Sequence, residues 1–520
     1  MKKLLCVVLS MLMLATVCGC KDKKDVQTGS FDEDGAYNAG AFDQGTGNSE
    51  NTSDDGANIG DTASGTNDSD KNNSTTSSGS SSVHIDINDI GGGSGNSGSS
   101  GAKVDYKGGK VTVIGLAGTI DKLDSSVLAY KSGETINFTL KAKSAKNTVE
   151  GLQIKYTATY EDGTPTQTGI VDCNKDGKVQ IKLTPKGPGF IRITATACVG
   201  GQEVSDVATF NGGVGVDVDK ITTKDAAPAD FESYWKGKVS ALPEPKLVSK
   251  TLITKGDGYE VYNVKIAGPD DTAAYAKLND GAKYNFASFV MAVPTGGGSF
   301  PVEVKYLGHG VDNITSHTGS ASKIMITVSA HSIDAYNASS TYWNTYKNCL
   351  DSYQNKDFGG QSYFVNMILR DYQVIRWLQQ NDLVTAAKSD GSISLMGGSQ
   401  GGFQAVAVAG LCGMINEVSV SKVYKASIVW NCNLSGYSNI NIGSWHTPYN
   451  QYTKYIDTVY FAPYVKCKVT IDPVGLGDDI APPSANMALY NALKSATINF
   501  VQNYAHGSGG ESQTPYKLSK

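Results

Sequence analysis

The chain has 520 residues, 40% of them hydrophobic and 18% charged, with 45 basic side chains against 50 acidic ones. The net charge of −5 is spread along the sequence without large blocks, which excludes the basic stripe that a nucleic-acid-binding surface needs. There are nine cysteines but no Cys-x-x-Cys pair, so no metal site is expected, and no cofactor either.

The first element is a leader. Met1-Lys2-Lys3 precedes the apolar run Leu4–Ala15, a basic start followed by a stretch too short to span a bilayer, as in a secretory signal. It ends in Val17-Cys18-Gly19-Cys20, which resembles a bacterial lipoprotein box with cleavage before Cys20 and lipid on its sulfur. Cys18 is the poorer acceptor because Val17, not a small residue, precedes it; the alternative is a plain signal peptide over 1–20 with an incidental Cys20. The expected location is extracytoplasmic, lipid-anchored at a bacterial membrane or cell surface. No later segment is long and apolar enough to cross a bilayer. Residues 21–101 are Gly, Ser, Asn, Asp and Thr with almost no large apolar side chains, too little to offset their ordering entropy. They read as a tether with a reach of about 50 Å.

Residues 102–215 read as β structure. Thr135–Lys143, Leu152–Tyr160, Val179–Leu183 and Phe190–Ala197 alternate polar and apolar, and turn clusters such as Glu161-Asp-Gly163 and Lys186-Gly-Pro-Gly189 separate them. This pattern predicts an immunoglobulin-like β-sandwich. Asp172-Cys-Asn-Lys-Asp-Gly177 mimics the start of a calcium loop, but its twelfth position is Leu183 where a bidentate acid is required, so it reads as a hairpin turn. Cys173 and Cys198 are either a staple for this domain or buried thiols. The domain shows no catalytic set; spacer is the leading reading, with docking module and glycan binder open.

Residues 216–515 alternate strand and helix signals, which predicts an α/β domain with a mostly parallel sheet. Strands are expected at Phe286–Val293, Val302–Leu307, Lys323–Val328, Ser392–Met396, Ala426–Trp430, Val469–Val474 and Ala496–Val501, with a helix from Gln361 to Asn381. Gly397-Gly-Ser399-Gln-Gly-Gly402 joins the apolar run Ser392–Met396 to the Ala-rich Phe403–Gly410. Strand, Gly-flanked turn carrying Ser, then helix make a nucleophile elbow. The motif alone is weak in a chain with 59 glycines; its context strengthens it. Two later strand ends carry the other candidates, at the edge where open parallel sheets build their sites. Gly475-Leu-Gly-Asp478-Asp479 follows one, and Tyr504-Ala-His506-Gly507 follows the last. Ser399, Asp478, His506 is the chain order of an α/β-hydrolase, with Asp479 the second choice of acid and Asp472 a distant third. The unchosen aspartate is a candidate cap for the helix beginning near Pro482.

Taken together, Pro228–Trp235, Gly397–Gly402, Tyr460–Cys467 and Gly475–Ser484 resemble carbohydrate esterase family 7, the acetyl xylan esterases and cephalosporin C deacetylases. The resemblance covers about 216–510 and implies an α/β-hydrolase fold, with Ser399 as nucleophile, His506 as base and Asp478 as acid. It also implies an oxyanion hole from the backbone N–H of Gln400 and a second near Gly308-His309-Gly310, with His309 where the family has Tyr. The implied substrate is an acetylated sugar, xylan fragment or small acetyl ester. Three departures stand out. Ser329-Ala330-His331 lies where the family has Arg-Gly-Gln, Gly507 where it has Glu, and Leu434–Asp457 is short for the cap region. The family is hexameric, and the oligomeric state of this chain stays open. So do two other functions: hydrolysis of a different acyl or peptide substrate, and an inactive hydrolase fold serving as a surface binding lipoprotein.

Overall fold

A computed structural model describes residues 103–116, 127–146, 151–276, 284–310, 314–315, 318–336, 340–350, 360–380, 387–426, 450–507 and 516–520. The leader, Cys20 and the tether lie outside the described residues, as do Cys432 and most of the Leu434–Asp457 segment.

The first part is all strand: β1 (Val111–Gly115), β2 (Ile136–Ser144), β3 (Leu152–Tyr160), β4 (Gln167–Asp172), β5 (Lys178–Leu183), β6 (Gly189–Val199), β7 (Gln202–Glu203), β8 (Val207–Ala208) and β9 (Phe210–Val216). They form two sheets, β5-β2-β1-β8 and β4-β3-β6-β7, with β9 also paired to β6. Period-two patterning dictates the packing: Leu152, Ile154, Tyr156, Ala158 and Tyr160 on one face of β3 are all buried. The inner faces meet, as in the Phe138–Phe210 ring contact at 5.8 Å.

One expectation is corrected here, and one pair of alternatives is decided. The Asp172–Gly177 turn is not a hairpin, because β4 pairs with β3 whereas β5 pairs with β2 in the other sheet. The turn is a crossover, held by Asn174 Oδ1 accepting from the N–H groups of Asp176 and Lys178 at 2.9 Å each. Cys173 and Cys198 form no staple. They flank β3 on opposite sides, Cys198 facing Gln153 and Cys173 bonded to the Leu152 carbonyl, and both are free thiols.

The second part holds α1 (Phe231–Ser240), β10 (Leu247–Gly256), β11 (Tyr259–Ala267), β12 (Phe286–Pro294), β13 (Gly298–Tyr306), β14 (Ile324–Val328), α2 (Ser340–Leu350), α3 (Tyr363–Gln379), β15 (Ala387–Gly397), α4 (Gln400–Ile415), β16 (Lys422–Ala426), α5 (Thr458–Phe461), β17 (Lys468–Gly475), α6 (Pro483–Ala492), β18 (Ala496–Val501) and β19 (Tyr516–Ser519). One ten-stranded sheet runs β10-β11-β12-β14-β13-β15-β16-β17-β18-β19. It is mixed. The run from β14 to β18 is parallel, while β10, β11 and β12 on one flank and β19 on the other are antiparallel.

Burial follows position in the sheet. β12 is buried along nearly all its length, whereas edge strand β10 exposes Leu247, Val248 and Leu252 and carries two register shifts. β16 is described over Lys422–Ala426; of the strand expected at Ala426–Trp430, residues 427–430 fall outside the described residues. Ser362 caps α3, accepting from Phe364 N–H at 3.3 Å, and α4 is buried on nearly every face because it packs against α1, α3, α5 and three strands. Helix α1 sits on the Tyr455–Tyr464 segment: Trp235 Nε1 donates to Tyr455 O at 3.0 Å and the Phe231 and Phe461 rings lie 5.0 Å apart.

Candidate active site

The turn between β15 and α4 places Ser399 at φ 54°, ψ −129°, a conformation that costs an L-residue on the order of 1–3 kcal/mol. The glycines around it allow close approach. A Cβ on Gly401 would lie 2.2 Å from the Tyr306 carbonyl oxygen, and one on Gly397 would lie 2.3 Å from Gly401. The serine is thereby lifted off the end of β15 at the N-terminus of a 16-residue helix, the positive end of its dipole.

The candidates on the following loops come to it. His506 Nε2 is 3.0 Å from Ser399 Oγ, and His506 Nδ1 is 3.0 and 3.2 Å from the two Asp478 carboxylate oxygens. A carboxylate can only accept, so Nδ1 carries the proton and donates, which leaves Nε2 to accept from the serine hydroxyl. The Asp478 side chain is 1% exposed and the His506 ring 20%, so the acid is shielded while the base keeps an open edge. Asp478 Oδ1 also accepts from the N–H groups of Ile480 and Ala481 at 2.9 Å each. The two loops are laced together: Leu476 N–H donates to Val501 O at 2.9 Å and Gly477 N–H to Tyr504 O at 3.1 Å.

The other aspartates are elsewhere. Asp479 points to the β-sandwich and pairs with Arg192 at 3.3 Å; Asp472 lies inside β17. Neither caps α6, whose N-cap position is Pro482 with no side-chain bond. Gln400 opens α4, and the Gly308–Gly310 segment lies against the elbow, since a Cβ on Gly308 would be 3.7 Å from Gly398 O and 3.9 Å from Ser399 Cβ. His309 is half-buried in that segment. Among the described residues no cluster of three or more His, Cys, Asp or Glu side chains is gathered to hold a metal.

Three supporting residues went unassigned in the sequence: Gln404, His331 and Arg370. Gln404 Nε2 donates to Leu307 O at 2.9 Å and Gln400 Nε2 to Gly308 O at 3.5 Å, pinning the loop after β13 to the first turn of α4. Their spacing of four residues on one helix is a visible signal. His331 is buried where the Arg-Gly-Gln sequence was sought. Burial holds its imidazole down to about 4 and therefore neutral at neutral pH. Nε2 must donate to Gly310 O at 2.8 Å, so Nδ1 accepts from Tyr363 OH, also at 2.8 Å. An arginine does reach this region, but from α3. Arg370, buried and ion-paired with Asp271, donates through Nη2 to Ala330 O at 2.8 Å. A serine oxygen bonded to an imidazole, itself oriented by a buried carboxylate at the end of a parallel sheet, can run acyl transfer.

Residues 356–519 match the family model for acetyl xylan esterase. No curated protein matches the sequence. Among solved structures, acetyl xylan esterase 1 from Thermoanaerobacterium sp. JW/SL YS485 is similar at 19% identity over 56% of this chain and 92% of that one, with a TM-score of 0.38. Acetyl xylan esterase from Paenibacillus sp. R4 is similar at 17% identity over 56% and 93%, with a TM-score of 0.39.

Proposed function

Residues 356–519 match the acetyl xylan esterase family model, and we propose that the chain is a serine esterase that removes acetyl groups from acetylated sugars or xylan fragments outside the cytoplasm. The observation that carries this reading is the unbroken hydrogen-bond chain from Ser399 Oγ through His506 to Asp478.

In this mechanism Ser399 Oγ attacks the ester carbonyl while His506 Nε2 takes its proton. Asp478 holds the tautomer and stabilises the imidazolium. Backbone N–H groups of Gln400 and His309 receive the oxyanion, each worth on the order of 3 kcal/mol. Collapse breaks the ester C–O bond, and His506 returns the proton to the departing sugar hydroxyl. Water, activated by the same ring, then attacks the acetyl-serine, releasing acetate and restoring Ser399.

Two placements complete the reading. Lipid on Cys20 anchors the chain, with residues 21–101 as its tether, and the two sheets ahead of the hydrolase are an immunoglobulin-like sandwich. The experiment is acetate release from acetylated xylan, measured beside a panel of longer-chain esters, for wild type and Ser399→Ala. Wild type should favour the acetyl substrate, and S399A should lose roughly a millionfold in kcat along with fluorophosphonate labelling. Wild-type turnover by S399A would remove the assignment.

A further inference from the structure

The β-sandwich makes polar contacts with the two loops that carry the acid and the base. On the acid loop, Asn211 Nδ2, from β9, donates to Gly477 O at 2.9 Å, one residue before Asp478. On the base loop, Asn211 N–H donates to Asn503 Oδ1 at 2.9 Å, three residues before His506. Beside it, Gln502 grips one residue of β9 by both backbone groups, as a neighbouring strand would. Gly213 N–H donates to its Oε1 at 2.9 Å, and its Nε2 donates to Gly213 O at 2.5 Å. Gln502 is 5% exposed, so these bonds are shielded from water.

The surfaces are in backbone contact. A Cβ on Gly477 would sit 2.4 Å from the Asn211 carbonyl oxygen, leaving room for no other residue. The Asn211 amide is itself oriented, its Oδ1 accepting from Arg192 Nε at 3.0 Å. The Arg192–Asp479 pair is half exposed and contributes little.

We propose that the β-sandwich is part of the esterase machinery: strand β9 is the platform that fixes the acid and base loops against each other, and Asn211 is a positioning residue for the reaction. This rests on the Ser399–His506–Asp478 reading. The sandwich acts through distance. A displacement of about 1 Å in a catalytic group costs up to about a hundredfold in rate, and the Asn211 amide is one hydrogen bond from the residue that precedes the acid. A spacer would touch the hydrolase at indifferent surface; this contact falls on both sides of the proton-transfer pair.

The test compares Asn211→Ala with Asn491→Ala in the full chain. Asn491 Nδ2, in α6, donates to the Val218 and Ile221 carbonyls at 2.8 and 2.9 Å, holding the chain that leaves β9 at a place away from both loops. For N211A on an aryl acetate, kcat should fall about ten- to a hundredfold with KM nearly constant. The acidic limb of its kcat/KM profile should move to lower pH, because a loosened Asp478 stabilises the imidazolium less. N491A should keep wild-type kcat and an unmoved limb even if its Tm falls. Should N211A fail to fold, Arg192→Ala frees the same amide to rotate and gives the same readout. Wild-type kcat and limb in N211A, or losses in both variants that simply follow Tm, would overturn the proposal. S399A in the same series separates the two ideas: its inactivity beside a fully active N211A sinks the platform alone, whereas its activity sinks the esterase assignment itself.

Discussion

At the scale of single residues, two neighbouring aspartates are told apart by direction. Asp478 faces the imidazole and is sealed from solvent; Asp479 faces Arg192 and is half exposed. Asp478→Asn should therefore cut kcat by about ten-thousandfold through the wrong imidazole tautomer, while Asp479→Asn should lose less than about tenfold, both read from steady-state hydrolysis of an aryl acetate. His331 makes a different prediction. Its folded-state imidazole is held at about 4 against the usual 6.5, so the unfolded chain binds the extra proton. The stabilisation from the neutral ring is complete above pH 6.5 and lost as pH falls toward 4, about 3 kcal/mol in all. Gln can make both His331 hydrogen bonds without titrating. Urea unfolding at pH 7, 5.5 and 4.5 should show wild type losing stability relative to His331→Gln on acidification; parallel curves would refute this.

At the scale of elements, the helix carrying the elbow also holds the loop it faces. Gln404→Ala removes the bond to Leu307 O and loosens the segment bearing His309. We expect kcat to fall about ten- to a hundredfold with KM little changed, the mark of a donor lost mainly in the transition state. Stopped-flow acylation would read it directly. The elements most legible in the sequence were those with strong local patterns. β3 alternates with period two along its whole length, and the apolar run, glycine turn and Ala-rich helix of the elbow are contiguous. Strand β10 was missed because the exposed edge strand carries no clean alternation, with the pairs Leu247-Val248 and Leu252-Ile253 among lysines and threonines. The sheet was accordingly expected to be more parallel than it is. His331, Asn211 and Gln502 left no local trace at all. Their side-chain partners lie 19 residues or more away, Gln502 and Gly213 being separated by 289, and only folding brings such pairs together.

At the scale of the whole molecule, the contact between sandwich and hydrolase also titrates. Glu161, buried at the end of β3, accepts from Phe190 N–H at 2.8 Å and from Ser484 Oγ, in α6, at 2.7 Å. Burial raises its carboxyl to about 7 from the usual 4.5. Here the folded chain binds the extra proton, so the stabilisation is complete below pH 4.5 and lost as pH rises through 7, about 3 kcal/mol in all. Glu161→Gln should match wild type near pH 4 and exceed it in Tm at pH 8; an equal Tm at pH 8 would be the contrary result. His331 and Glu161 slope in opposite directions between pH 4.5 and 6.5, so the wild-type curve hides both and the single variants expose them.

The partnership of Asn211 with Gly477 has a further consequence in time. The two are 266 positions apart, so at about 5–20 residues per second a ribosome takes on the order of 10–50 seconds to make the second after the first. In the exported chain proposed above, the sandwich also reaches the far side of the membrane before the acid loop does, and can close on its own strands first. On the platform reading, activity then waits on the correct folding of the sandwich.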